Sequence, residues 1–128
     1  MKPTILLAED DEDVRNALHA LLLREGYEVV EASNGTDAVN LAREYRPDAV
    51  LMDLVLPGIN GLDAARFLKH EPATADVPII GLTAAVWLLR EGESPGGAGF
   101  DAVFPKPFQL DAMFGELRRL VAPAVAPG

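Results

Sequence analysis

Five side chains in this sequence could act together on a charged group: the carboxylates of Glu9, Asp10 and Asp53, the hydroxyl of Thr83 and the ammonium of Lys106. They stand at the ends of short apolar runs. Thr4-Ile5-Leu6-Leu7-Ala8 stops at Glu9-Asp10, Ala49-Val50-Leu51-Met52 at Asp53, Val77 to Leu82 at Thr83, and Asp101 to Pro105 at Lys106. Near-continuous apolar runs of this length read as buried parallel strands, and open α/β sheets keep their chemistry at the carboxyl edge. Three carboxylates gathered there repel one another, each close pair by roughly 4 kcal/mol at about 4 Å and an effective dielectric near 20. A divalent cation removes that conflict. Oxygen-only donors, with no cysteine and no nearby histidine, favour Mg²⁺ over Zn²⁺. A hydroxyl and an ammonium facing the same carboxylate are what an incoming phosphoryl group needs, because phosphoryl transfer is mostly positioning and charge neutralisation.

The acids also have a plainer reading when taken alone. Asp53 reads equally well as a cap for the turn that follows it. The five acids Glu9 to Asp13 read as helix-initiating residues on a solvated loop, where they would favour the positive end of the helix. The difference lies in whether the elements bring these positions together.

The pattern along the chain alternates. After the first strand, Val14, Ala17, Leu18, Leu21 and Leu22 recur at helical spacing and are expected to form one buried face, ended by Gly26. Tyr27 to Ala32 is a more polar strand suited to a sheet edge, and Ser33-Asn34-Gly35 a turn. Ala38, Leu41, Ala42 and Tyr45 give a second stripe stopped at Arg46-Pro47. The Asp53 strand follows, then a Pro57/Gly58/Gly61 loop and a helix with Leu62, Ala65 and Leu68 inward. After the Thr83 strand, Ala84 to Glu91 has helical propensity but is broken by Ser94-Pro95-Gly96-Gly97. The final helix carries Leu110, Met113, Phe114, Leu117, Leu120 and Val121. Five strands alternating with five helical segments through right-handed crossovers predict an α/β, flavodoxin-like, doubly wound parallel sheet of order 2-1-3-4-5 with helices on both faces.

Composition bounds what this fold could serve. The chain has 128 residues, read as one domain over 1–121 with a Pro/Ala tail or linker stub over 122–128. Twenty acidic against 11 basic residues, a net charge of −9, argue against a sequence-independent grip on nucleic acid. The absence of cysteine removes disulfides, a thiolate nucleophile and Cys-based metal sites. No apolar run reaches the roughly 18 residues of a membrane helix, and no signal-peptide pattern stands at the N-terminus. A cytoplasmic protein is expected. His19 and His70 are expected on the polar sides of their helices, solvated.

On Glu9-Asp10, Asp53 with Pro57 and Gly61, Thr83-Ala84 and Lys106-Pro107, spread over Thr4 to about Leu120, the chain resembles the receiver domain of two-component response regulators. The resemblance implies that Asp53 is the phosphoacceptor, Asp10 a direct Mg²⁺ ligand, Glu9 a ligand through water, and the Val55 main-chain carbonyl a further ligand. It implies that Thr83 bonds one phosphoryl oxygen and Lys106 pairs with another, and that the Lys106-Pro107 bond is cis. The implied function is phosphorelay signalling: a phosphoryl group taken from a histidine kinase or histidine phosphotransfer protein, then a change in partner binding, without turnover of a small substrate. A monomer or weak dimer is expected, with no direct nucleic-acid contact.

Two departures from the family pattern shape the expectations. Val103 stands where the family commonly has an aromatic switch residue, and the segment after Thr83 is irregular, with Trp87 read as core filler. The output is therefore expected as ordering of Ala84 to Phe100 rather than an aromatic rotamer change. Val55 and Ala85 are apolar where relatives place polar groups beside the attacking water, which predicts slow self-dephosphorylation. An aspartyl-nucleophile phosphatase of the haloacid-dehalogenase type would need an acid at Val55, and a flavin module a phosphate loop in place of Glu9 to Asp13. A phosphorylation-independent adaptor remains as the alternative.

Overall fold

The computed structural model describes residues 2–83, 99–107 and 109–121. Within them, five strands and four helices follow in the order β1 (Thr4–Ala8), α1 (Glu12–Arg24), β2 (Glu28–Ala32), α2 (Gly35–Tyr45), β3 (Ala49–Asp53), α3 (Gly61–His70), β4 (Ile79–Thr83), β5 (Ala102–Pro105) and α4 (Leu110–Val121). The strands form one parallel sheet of order β2-β1-β3-β4-β5, as the alternation predicts. The expected helical segment after Thr83, with Ala85, Trp87 and the Ser94 to Gly97 break, and the tail over 122–128 lie outside the described residues.

Strand periodicity divides the core into two layers. Leu6, Ala8, Val50, Met52 and Ile79 point to one face of the sheet, where α2 and α3 supply Ala38, Val39, Ala42, Ala64, Ala65 and Leu68. Ile5, Leu7, Ala49, Leu51, Ile80 and Leu82 point to the other, where α1 and α4 supply Leu18, Leu22, Met113, Phe114, Leu117 and Val121. Covered on both sides, β3 and β4 are buried throughout. That is why their sequences are apolar without alternation.

The helices start where short polar side chains satisfy otherwise unpaired amides. Asp11 accepts from the Val14 amide at 3.1 Å, Asn34 from Asp37 at 2.7 Å and Asn60 from Asp63 at 2.9 Å. Asn34-Gly35, read above as a turn, is thus the cap and first residue of α2.

Three expected core positions are solvent-facing: Ala17 is exposed, as are Tyr45 and Leu110. The spacing identifies a stripe but not where it runs off the sheet. Tyr45 is the last residue of α2 and Leu110 the first of α4, each past the strands their helix covers. The inward face of α2 runs instead through Ala38, Val39 and Ala42. Leu110 and Ala17 line an open apolar groove with Val14, Leu21 and Pro107.

The packing predicts a contrast between two apolar truncations. Leu51→Ala, in the middle of a fully buried strand, is expected to cost about 2–5 kcal/mol of unfolding free energy. Tyr45→Ala is expected to stay within about 0.5 kcal/mol. Urea unfolding of both variants checks this, and comparable losses would place Tyr45 in the core after all.

Candidate functional site

Strand register brings the sequence-predicted residues to one edge. Asp53 is the last residue of β3 and pairs with Leu82, so Thr83 ends β4 one position further on; Thr83 in turn pairs with Pro105, which immediately precedes Lys106. Ala8 closes β1 beside Met52, which sets Glu9 and Asp10 next to Asp53. Carboxylate oxygens of Glu9, Asp10 and Asp53 all lie within 4.8 Å of one another.

The acids differ in environment. Glu9 is buried at 1 % exposure, Asp53 is nearly so at 9 %, and Asp10 faces solvent. Asp11, their neighbour, spends its side chain on the α1 cap. The two readings of the acidic loop therefore apply to different residues of it. Lys106 Nζ bridges the buried pair, donating to Glu9 Oε1 and, at 2.9 Å, to Asp53 Oδ2. The other Asp53 oxygen accepts the Val55 amide at 2.9 Å, so the carboxylate is held from both sides. Thr83 is fully buried, its carbonyl accepting the Lys106 amide at 2.7 Å, and the Lys106-Pro107 peptide bond is cis.

Charge and burial oppose one another here. Burial pushes the Glu9 carboxyl above its ordinary value; the Lys106 ammonium pulls it back and the Asp53 charge adds to the rise. For Lys106, burial favours the neutral amine, but the hydrogen bonds to Glu9 and Asp53 outweigh it and hold the ammonium above its ordinary value. The lysine therefore stays charged at neutral pH and is the internal counter-charge of the acids. The donor set, three carboxylates with no sulfur or imidazole, is that of a hard divalent cation such as Mg²⁺.

Sequence reasoning missed the support around these groups. Arg15 donates from Nη1 to the Glu9 carbonyl at 2.9 Å, and the Glu9 amide donates to the Ala32 carbonyl at 3.0 Å, so the acidic loop is tied to α1 and β2. Arg15 also lies 3.9 Å from Glu31, whose carboxylate accepts from His19 Nδ1 at 2.9 Å. His19 is thus partly exposed and hydrogen-bonded to Glu31 rather than free in solvent, because β2, at the sheet edge, presents Glu31 to α1. His70 is exposed, as expected, with Nδ1 donating to the Arg66 carbonyl at 2.7 Å. On a polar helix face Arg15 carries no signal that separates it from an ordinary surface charge.

The family model of the response regulator receiver domain matches residues 5–118. The polar-differentiation response regulator DivK of Brucella anthropi is 33% identical over 110 residues, covering 86% of this chain and 89% of DivK. The transcriptional regulatory protein AfsQ1 of Streptomyces coelicolor is 44% identical over 82 residues, which cover 64% of this chain and 35% of AfsQ1. The chain likewise spans 51% of several longer response regulators that it matches. Among solved structures, the receiver domain of the sensor histidine kinase PA1611 from Pseudomonas aeruginosa, which has a magnesium ion coordinated in its active site cleft, gives a TM-score of 0.84 at 34% identity, covering 95% of this chain and 99% of that one.

Glu9 supplies a test of the electrostatics. A carboxyl whose pKa is raised by folding binds its proton more tightly in the folded state, so its contribution to stability is present below about pH 4.5 and lost as pH rises through the folded value. Metal-free Glu9→Gln is therefore expected to be more stable than the wild type at pH 7, with the difference shrinking as pH falls toward 4.5. Urea midpoints in chelator-containing buffer across that range check it; a variant less stable at pH 7 would show that the Lys106 contact outweighs the burial of the charge.

Proposed function

The chain belongs to the response regulator receiver domain family of two-component systems, and from that membership we propose that Asp53 accepts a phosphoryl group from a phosphohistidine on a histidine kinase or histidine phosphotransfer protein. The observation that carries this reading is the Asp53 carboxylate itself: nearly buried, held through one oxygen by the Val55 amide and through the other by Lys106, and within 4.8 Å of two further acids.

In the transfer, an Asp53 oxygen attacks phosphorus in line with the donor imidazole nitrogen. A P–O bond forms as the P–N bond breaks, and the donor histidine leaves with the electron pair of the broken bond. Glu9, Asp10, Asp53 and the Val55 carbonyl are the groups that would hold Mg²⁺. Bound there, Mg²⁺ supplies neutralisation of the charge that builds on the phosphoryl oxygens. Lys106 moves from bridging Glu9 and Asp53 to pairing with one phosphoryl oxygen, and the Thr83 hydroxyl donates to another. Holding Asp53 from two sides before the donor arrives lowers the reorganisation that the transfer needs.

Phosphorylation adds about −1.5 to −2 charges to this edge and shifts an equilibrium between two states of the domain. Output is then a change in protein contacts, from a receiver spanning residues 1–121 with a tail over 122–128, working in the cytoplasm as a monomer or weak dimer. This is a switch rather than a turnover enzyme. Val55, apolar and 52 % exposed beside the acceptor, offers no polar group to place an attacking water, so the acyl phosphate is long-lived.

With acetyl phosphate and Mg²⁺, intact-mass analysis is expected to find one added phosphoryl group on the wild type and none on Asp53→Asn, with the label decaying severalfold faster in Val55→Asn. A phosphoryl group retained in Asp53→Asn would assign the acceptor elsewhere.

A further inference from the structure

The arc from Val55 to Asn60 places main chain beside Asp53, and its shape is set from outside its own strand and helix. At its base it is fastened locally: the Val55 amide donates to Asp53 Oδ1 at 2.9 Å, and the Gly61 amide to the Leu54 carbonyl at 2.8 Å. At its apex it rests on α2. The Gly35 amide donates to the Pro57 carbonyl at 3.1 Å. A Cβ on Gly35 would stand 1.5 Å from the Ile59 carbonyl oxygen and 2.5 Å from the Ile59 carbonyl carbon. A Cβ on Gly58 would stand 3.3 Å from Thr36 Oγ1, the next residue of α2.

We propose that Gly35 is a positioning residue for the Mg²⁺ site: by letting the main chain at Pro57 and Ile59 close onto the N-terminus of α2, it sets where the Val55 carbonyl and the Asp53 carboxylate stand. The inference rests on the functional reading above and adds to it a residue on a different element from the acids. Backbone conformation does not demand glycine here, since Gly35 is an ordinary first helical residue and lies outside the left-handed region. Close approach demands it. The opposing atoms are main chain, so no side-chain rotation makes room. The N-terminus of α2 does not yield easily either, because Asn34 caps it and Gly35, Ala38, Val39 and Ala42 are buried. Any side chain at position 35 therefore moves the arc. Val55 and residues 57–60 are exposed, but Leu56 between them is buried in the core, which ties a displacement of the arc to the segment that carries Val55.

Gly26 provides the control. It lies in the left-handed region at φ +96°, and a Cβ there would meet nothing within 4 Å, so Gly26→Ala strains the backbone far from the arc. Mg²⁺ is titrated by calorimetry into wild type, Gly35→Ala and Gly26→Ala, with melting temperatures and the metal-free Val55 amide resonance recorded for each. Gly35→Ala is expected to shift that resonance and to weaken Mg²⁺ binding by about tenfold or more, the range for loss of outer support to a metal site. Gly26→Ala is expected to lower the melting temperature while leaving both the resonance and the affinity at wild-type values. Wild-type affinity in Gly35→Ala overturns the inference, as does an equal loss in Gly26→Ala. Should Gly35→Ala fail to fold, Gly58→Ala displaces the same arc from within, through its left-handed backbone at φ +75° and its contact with Thr36, and unchanged Mg²⁺ affinity there shows that moving the arc does not reach the metal ligands and overturns the inference. Absence of Mg²⁺ binding by the wild type would instead overturn the functional reading, and this inference with it.

Discussion

Carboxylates crowded at one edge of a sealed sheet are the constraint on which the rest of this structure turns. The central strands are covered by helices on both faces, so their polar groups emerge at the strand ends, and among the described residues three acids share the same end. A close pair of such charges costs roughly 4 kcal/mol at an effective dielectric near 20. Lys106 offsets that cost by reaching across from the end of β5 to Glu9 and Asp53. A buried ion cluster of this kind does little for net stability, because desolvation consumes much of the attraction. Its consequence is poise: Lys106 is already in place, and under the proposed function the remaining negative charge would serve a cation and a phosphoryl group.

Poise of this sort requires that the groups not relax away from one another. Three features of the fold hold them. The parallel register fixes the strand ends relative to each other. Gly61 lets α3 begin directly against Asp53, where a Cβ would stand 2.1 Å from the Asp53 carbonyl oxygen. Arg15 and the Ala32 carbonyl pin the main chain of Glu9, which leaves its side chain to Lys106.

Much of this was legible in the sequence, for a physical reason. Strands buried on both faces cannot alternate, so β1, β3 and β4 stand out as short apolar runs, and residues that directly follow such runs are brought side by side by register alone. Glu9, Asp10, Asp53 and Thr83 are of that kind, and Lys106 follows the shorter, partly buried run of β5. Tyr45 and Leu110 run counter to the spacing because a helical stripe reports a face and not the point at which the face passes the sheet, and Ala17 because it lines the open groove beside Leu110. Arg15, His19 with Glu31, and Gly35 were missed because their roles depend on segments far apart in the chain. Asn34-Gly35 has the composition of a turn, and nothing local announces that the Ile59 carbonyl will lie against it.

In the metal-free protein the Lys106 ammonium occupies the acid cluster, and under the proposed function Mg²⁺ competes with it. Calorimetric titration of Mg²⁺ into Lys106→Met at pH 7 tests this most directly. Binding severalfold tighter than in the wild type is expected, because the competing ammonium is gone and the three carboxylates are left uncompensated. Equal or weaker binding would contradict it, and would mean that Lys106 and the cation do not share the same charge.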